Sequence, residues 1–277
     1  MFRSLDPGAI GVKAPFEQAL AWGAEFGFEG VSVPLPLVRE MGASKFRELL
    51  DKHGLRPSVF GLSVDYRGDR DAFEKTIQDF PLEAKTAVSV GLTRCSTWVL
   101  PGRKGTSEAD YFAELKHRLG ECTRILHDQG IRLGLEFIGP KTLRKELGLE
   151  SDGLFNAERM LELVDAIGIP GTGLLLDAWH WYTSHGTPAL FDRLNNELVV
   201  DVHVNDAPKG IPVDEQVDNR RCLPGSTGAI DLKAFFAGLR KIGYDGPATV
   251  EPFNEELNAM EDREAIGVTA QALREFL

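Results

Sequence analysis

Short apolar, β-branched runs alternate eight times with amphipathic stretches of helical length along this chain of 277 residues. No other property of the sequence restricts the fold as much. The first run covers residues 2–12 and leads into a helix over residues 15–26, where Phe16, Leu20, Trp22 and Phe26 recur at roughly helical spacing. GVSVPL precedes a helix over residues 44–53, with Gly54 as its stop. PSVFGLSV precedes residues 71–90, and LTRCSTWVL precedes residues 108–129. IRLGLEFIG leads to a helix near residues 156–166, and GLLLDAWHW to one around residues 188–195. VVDVHVND is followed by a long polar loop and a helix over residues 231–242; PATVEPF and a helix over residues 261–276 close the series.

Helical crossovers favour parallel strands, and eight such units close naturally into an α/β fold, the (β/α)8 TIM barrel. The length suits one such domain of about 250 residues, so residues 1–277 read as a single domain. No Ser/Gly-rich linker, low-complexity tract or long block of like charge divides them. An open doubly wound sheet would usually carry a glycine-rich phosphate loop after its first strand. Neither GxGxxG nor GxxxxGK[ST] is present.

A barrel gathers the carboxyl ends of all its strands on one face, where residues distant in sequence can meet. Four of the runs end in a residue able to bind a hard divalent cation: Glu136 in LGLEF, Asp177 in GLLLDAWH, His203 in VVDVHVND and Glu251 in ATVEPF. Burying three carboxylates and an imidazole together without a cation would cost several kcal/mol, roughly, per uncompensated charge. One divalent ion, Mn²⁺, Mg²⁺, Co²⁺ or Zn²⁺, suits this set of oxygen and nitrogen ligands. With four protein ligands, the ion keeps room for two oxygens of an α-hydroxyketone and would stabilise the enediolate formed when the adjacent proton leaves. Glu136 and Glu251 are the candidate catalytic groups, because a ligand carboxylate with a free oxygen can accept that proton. Two carboxylates on opposite faces would give epimerisation; one shuttling between carbons would give isomerisation. Trp98, at the end of the fourth run, and Phe60, in the third, suit apolar walls for a sugar face or core packing.

LGLEFIG, GLLLDAWHW, DVHVND and RCLPGSTGAIDLKAFFAGLRKIGYDGPATVEPF resemble the xylose isomerase-like TIM-barrel family of sugar isomerases and epimerases. The likeness covers residues 130–255 in motif detail and is topological before them. Within it, LEFxG, GLxLDxxH and PG…GAID are most similar to the 2-keto-myo-inositol isomerase subgroup; ketose 3-epimerases and, more distantly, endonuclease IV are related. The resemblance implies a metal quartet at Glu136, Asp177, His203 and Glu251. It also implies substrate contacts from His180, in the D-x-x-H motif, and from Arg221, three residues before the PG turn. One departure is Thr142, which stands where ketose 3-epimerases carry a second glutamate, six residues after the first metal glutamate. Another is the long acidic loop over residues 207–219, which remodels one wall.

A net charge of -11 repels nucleic-acid phosphates and anionic membrane surfaces. Cys95, Cys122 and Cys222 have no paired spacing and suit free thiols in a reducing compartment. The amino terminus shows no apolar targeting core, and no run approaches the roughly 18 residues of a membrane span. These features point to a cytoplasmic protein that acts on a small molecule, a polyhydroxy ketone, aldehyde or inosose, with a homo-oligomer allowed. The leading expectation is a metal-dependent isomerase or epimerase of a sugar, sugar phosphate or keto-inositol. A keto-inositol dehydratase shares the first proton abstraction. An endonuclease IV-like hydrolase would need further His and Glu ligands at the early strand ends, and a non-catalytic sugar- or metal-binding barrel would need no proton transfer.

Overall fold

The computed structural model describes residues 1–149 and 151–277. Its strands are β1 (Phe2–Leu5), β2 (Gly30–Val31), β3 (Arg56–Pro57), β4 (Phe60–Gly61), β5 (Arg94–Val99), β6 (Arg132–Phe137), β7 (Thr172–Asp177), β8 (Val199–Val204) and β9 (Pro247–Val250). They form one sheet in the order β3-β2-β1-β9-β8-β7-β6-β5-β4, and every pairing is parallel. The two ends of that order, β3 and β4, are pieces of one apolar run. Its first piece pairs with β2 and its second with β5. Between them, Val33 N–H donates to the Val59 carbonyl at 2.9 Å, and Leu62 N–H donates to that of Ser96 at 3.0 Å. The third run therefore closes the sheet into a cylinder, and the eight expected units account for all nine strands.

The longer helices are α1 (Phe16–Glu25), α2 (Leu35–Met41), α3 (Ala43–His53), α4 (Arg70–Ser89) and α5 (Glu108–His127), followed after β6 by a short α6 (Lys141–Glu146) and α7 (Ala157–Ile167). Then come α8 (Ala178–Thr183), α9 (Leu232–Lys241), α10 (Glu255–Asn258) and α11 (Asp262–Arg274). The longer ones bury one apolar face and leave the other to solvent. In α9 the buried residues Leu232, Phe235, Phe236 and Leu239 recur at the i, i+3, i+4, i+7 spacing of an amphipathic helix.

Several elements depart from the periodic reading for local reasons. The first strand stops at Leu5 because Asp6 Oδ1 accepts the N–H groups of Gly8 and Ala9, at 2.9 and 3.1 Å, and turns the chain. Helix α2 was not expected: its prolines read as loop, yet proline is pre-organised for a first helical turn. The segment expected as a helix around residues 188–195 is a single 3-10 turn, Pro188–Asp192. GLLLDAWHW divides into strand and helix at Asp177, whose Oδ1 accepts Trp179 N–H at 2.6 Å as the cap of α8.

One irregularity places the site. Leu174 pairs with Val199, but Leu175 pairs with Asp201, so Val200 is an extra residue in β8. Because side chains alternate along a strand, such a bulge resets which of them face inward. After it, Asp177 stands opposite His203 and Leu175 opposite Asp201. Without it, Val202 would face the position that His203 now faces.

Candidate metal centre and active site

Glu136 comes from the end of β6, Asp177 from the last residue of β7, His203 from β8, and Glu251 from the residue after β9. One ligand atom from each lies within 4.8 Å of all the others. His203 Nδ1 is 3.7 Å from Glu136 Oε1 and 3.4 Å from Glu251 Oε2. Both Glu136 Oε1 and His203 Nδ1 are buried and have no hydrogen-bond partner. A buried polar atom without a partner costs about 1–3 kcal/mol, more when charged. Two such atoms aimed into one small space, among further carboxylates, fit a divalent cation.

The electrostatics show the same pressure. Burial, reinforced by the charge on Glu251, pushes the Glu136 carboxyl well above the usual carboxylate range. Burial also opposes ionisation of Glu251, but His203 and Arg221 overcome it and hold that carboxyl down at about 2. Burial disfavours the His203 imidazolium, yet Glu251 and then Asp201 raise it well above its ordinary value. Glu136 and His203 are thus both biased toward their protonated forms, the first mainly by burial and the second by its carboxylate neighbours. A divalent cation among the four groups would oppose that bias.

A second layer fixes these side chains. Asp201 is buried, accepts from Ser96 Oγ at 3.1 Å and Val202 N–H at 2.9 Å, and faces His203 Nε2 at 3.7 Å. A carboxylate behind a ligating imidazole orients the ring and selects its tautomer. Asn205 Nδ2 donates to Asp177 Oδ1 at 3.0 Å and to the Glu251 carbonyl at 3.3 Å.

Arg221, buried at 3 % exposure, donates through Nη1 to Asp177 Oδ2 at 2.8 Å and Glu251 Oε2 at 3.0 Å, and through Nη2 to Asp218 Oδ1 at 2.9 Å. It pairs with three carboxylates at once, one positive charge against three negative ones. His180, on α8, accepts Gly139 N–H at Nδ1 over 3.1 Å, so the neutral ring carries its hydrogen on Nε2. Burial lowers its pKa to about 3, which keeps the ring neutral. Nε2 lies 3.3 Å from Arg221 Nη2 and 3.9 Å from both Glu136 Oε1 and Asp218 Oδ1. Nη2 also donates to Asp218 Oδ1, so the ring and the guanidinium meet directly beside the quartet. Trp98 pairs in register with Glu136, so both side chains leave the same face of the sheet, and its ring is 43 % exposed at the mouth.

The structure therefore brings Glu136, Asp177, His203, Glu251, His180 and Arg221 into one cluster, with Trp98 at its rim. Phe60 is a core side chain at 2 % exposure. Lys141 faces Asp214 at 2.6 Å, whereas Lys209 is exposed. Thr142 Oγ1 donates to the Gln216 carbonyl at 2.7 Å and so ties the acidic loop over residues 207–219 to α6. Sequence reasoning passed over Asp201, Asn205 and Gly139. The first two were within reach, since they lie two residues either side of His203 in VVDVHVND and share its face.

The family model described as "Xylose isomerase-like TIM barrel" matches residues 20–276, and the chain belongs to that family. Among its relatives is the inosose isomerase of Halalkalibacterium halodurans, 26 % identical over 228 residues that cover 80 % of this chain and 75 % of the relative. A shorter match, 34 % identical over 107 residues, is to the 3-dehydroshikimate dehydratase of Pseudomonas aeruginosa, covering 38 % of this chain but 17 % of that protein. Among solved structures, the crystal structure of IOLI protein with a binding zinc atom superposes with a TM-score of 0.84 at 19 % identity, covering 100 % of this chain and 98 % of that one. That likeness establishes the fold.

Proposed function

We propose that this protein is a metal-dependent isomerase or epimerase of a small polyhydroxy ketone or aldehyde, of the sugar or keto-inositol class. The observation that carries this reading is the convergence of Glu136, Asp177, His203 and Glu251, with Glu136 Oε1 and His203 Nδ1 buried and unpartnered. Those four residues would hold one divalent ion, Mn²⁺, Mg²⁺, Co²⁺ or Zn²⁺, and the ion would supply Lewis-acid polarisation of the substrate carbonyl. Glu136 and Glu251 are the proton-transfer groups: one removes the proton beside the carbonyl, and the same or the other returns it. Asp177 and His203 complete the ligand set, while Asp201 and Asn205 hold them in place. His180 and Arg221 contact substrate oxygens, and Trp98 covers one sugar face. Arg221 serves a second purpose, offsetting the carboxylates around it.

The inosose isomerase relative, which spans most of both chains, supports the substrate class. A second reading, loss of water after the same proton abstraction, is favoured by the local identity to a 3-dehydroshikimate dehydratase. We further take residues 1–277 as one domain acting in the cytoplasm; none of the described helices is long and apolar enough to cross a membrane. The test is a panel of ketoses, inososes and carboxylate-bearing polyhydroxy ketones incubated with metal-loaded protein in deuterated water. Deuterium beside the carbonyl with the carbon skeleton intact supports isomerisation or epimerisation, and formation of a dehydrated product supports the second reading. Absence of exchange in every compound would refute the proposal.

A further inference from the structure

Arg67 lies in the loop between β4 and α4, at the same rim as the strand ends that carry the quartet. Its guanidinium carbon sits 3.8 Å from the centroid of the exposed Trp98 ring. Its protein hydrogen bonds all leave from Nη1, to Tyr66 Oη at 2.7 Å, Thr97 Oγ1 at 3.3 Å and the Trp98 carbonyl at 3.0 Å. Each acceptor is uncharged. Among the described residues, Nε and Nη2 have no acceptor, and no carboxylate pairs with this arginine. Those two nitrogens form the edge of the guanidinium that matches both oxygens of a carboxylate.

Neighbouring cations are placed differently. Arg103 and Arg118 share Glu114, Arg144 pairs with Asp152, Lys141 with Asp214, and Arg221 with Asp177, Asp218 and Glu251. Structural support of the rim accounts for Nη1 of Arg67 and leaves its other edge unexplained. Trp98, on which it lies, is in register with Glu136 and shares its face. In a chain of net charge -11, an anionic substrate also needs a local cation to enter the mouth.

We infer that Arg67, stacked on Trp98, receives a carboxylate carried by the substrate, so that the compound turned over is an acidic polyhydroxy ketone and not a neutral sugar. This rests on the reading above for the reaction and adds the charge of its substrate. The planar fork matches phosphate as well as carboxylate, so arrival of a phosphoryl group is the competing outcome.

The experiment measures binding, so it does not depend on turnover. Metal-loaded protein is titrated calorimetrically with a tetrahydroxycyclohexanecarboxylate and with its uncharged carboxamide, in wild type, Arg67→Gln and Arg67→Lys. The wild type should prefer the acid on the order of 10-fold to 100-fold, as a charge-assisted bidentate contact implies. In Arg67→Gln the ratio should fall to about one, and Arg67→Lys should keep only part of it. Equal affinities in the wild type overturn the inference whether or not the variants fold. So does a preference that survives Arg67→Gln, since the acid would then be bound through the metal. Tighter, Arg67-dependent binding of an inositol monophosphate overturns the carboxylate assignment in favour of a phosphoryl group. If the ratio behaves as expected but no ketone exchanges deuterium, the proposed reaction falls and Arg67 stands; if neutral ketoses exchange and the ratio is one, the reverse holds.

Discussion

Strands β6, β7 and β8 are six residues long, whereas β2, β3 and β4 are two residues each. The long strands and β9 deliver all four members of the quartet; the short ones run directly into turns and loops. Asp6, just past β1, shows the contrast, because its carboxylate is occupied with the N–H groups of its own turn. Groups that must meet at one point need a continuous ladder to fix their register, and even a single extra residue, Val200, decides whether His203 faces in. A wall that only recognises substrate tolerates shorter pairing. On the proposed reading, the long strands and β9 carry the proton-transfer groups, while recognition is shared between His180 and Arg221 beside them and Trp98 and Arg67 on the early rim.

The largest expected effect lies in the chemical half. Glu136→Gln or Glu251→Gln should lower solvent exchange into substrate by on the order of 10²-fold to 10⁴-fold, measured by NMR with metal at saturation. If an early-rim substitution such as Arg67→Gln abolished exchange on every substrate as thoroughly, the division would break. Next comes the layer behind the quartet. Asp201→Asn should weaken metal affinity by about 10-fold to 100-fold and leave the melting temperature of the metal-free protein lowered little. An unchanged affinity would remove Asp201 from the account.

Stability should not follow the same line. Phe46 on α3 and Phe235 on α9 are both fully buried, one in each half. Truncating either to alanine should cost about 3–5 kcal/mol in urea unfolding. A much smaller cost for Phe46 would mean that the early half is loosely packed as well as short-stranded.

A further effect is a pH dependence. His180 has a folded pKa of about 3 against an unfolded value near 6.5. The unfolded chain therefore binds the proton first as pH falls, so the stability linked to a neutral His180 is complete above about pH 6.5 and lost toward pH 3. His180→Gln should flatten the difference in urea midpoint over that window; parallel profiles would place the ring in a more open setting.

Much of this was legible because two periods coexist in the chain. The apolar runs LGLEF, GLLLD and VVDVHV marked Glu136, Asp177 and His203 as ionisable groups at strand ends, and the helical repeats between them implied parallel closure. The Val200 bulge was invisible, since a run of valines reads the same in either register. Arg67 was invisible for another reason: it sits in a loop, where position comes from tertiary contacts such as the Trp98 ring. Helix α2 was hidden by prolines that mark a loop and a helix start equally well.

The most direct test of the central claim is anomalous diffraction from crystals grown with Mn²⁺. The account predicts one strong peak bounded by Glu136, Asp177, His203 and Glu251, with ligand distances of about 2.0–2.3 Å and His203 bound through Nδ1. A map with no peak there, and with Glu136 Oε1 and His203 Nδ1 joined by a proton or a water, would contradict it.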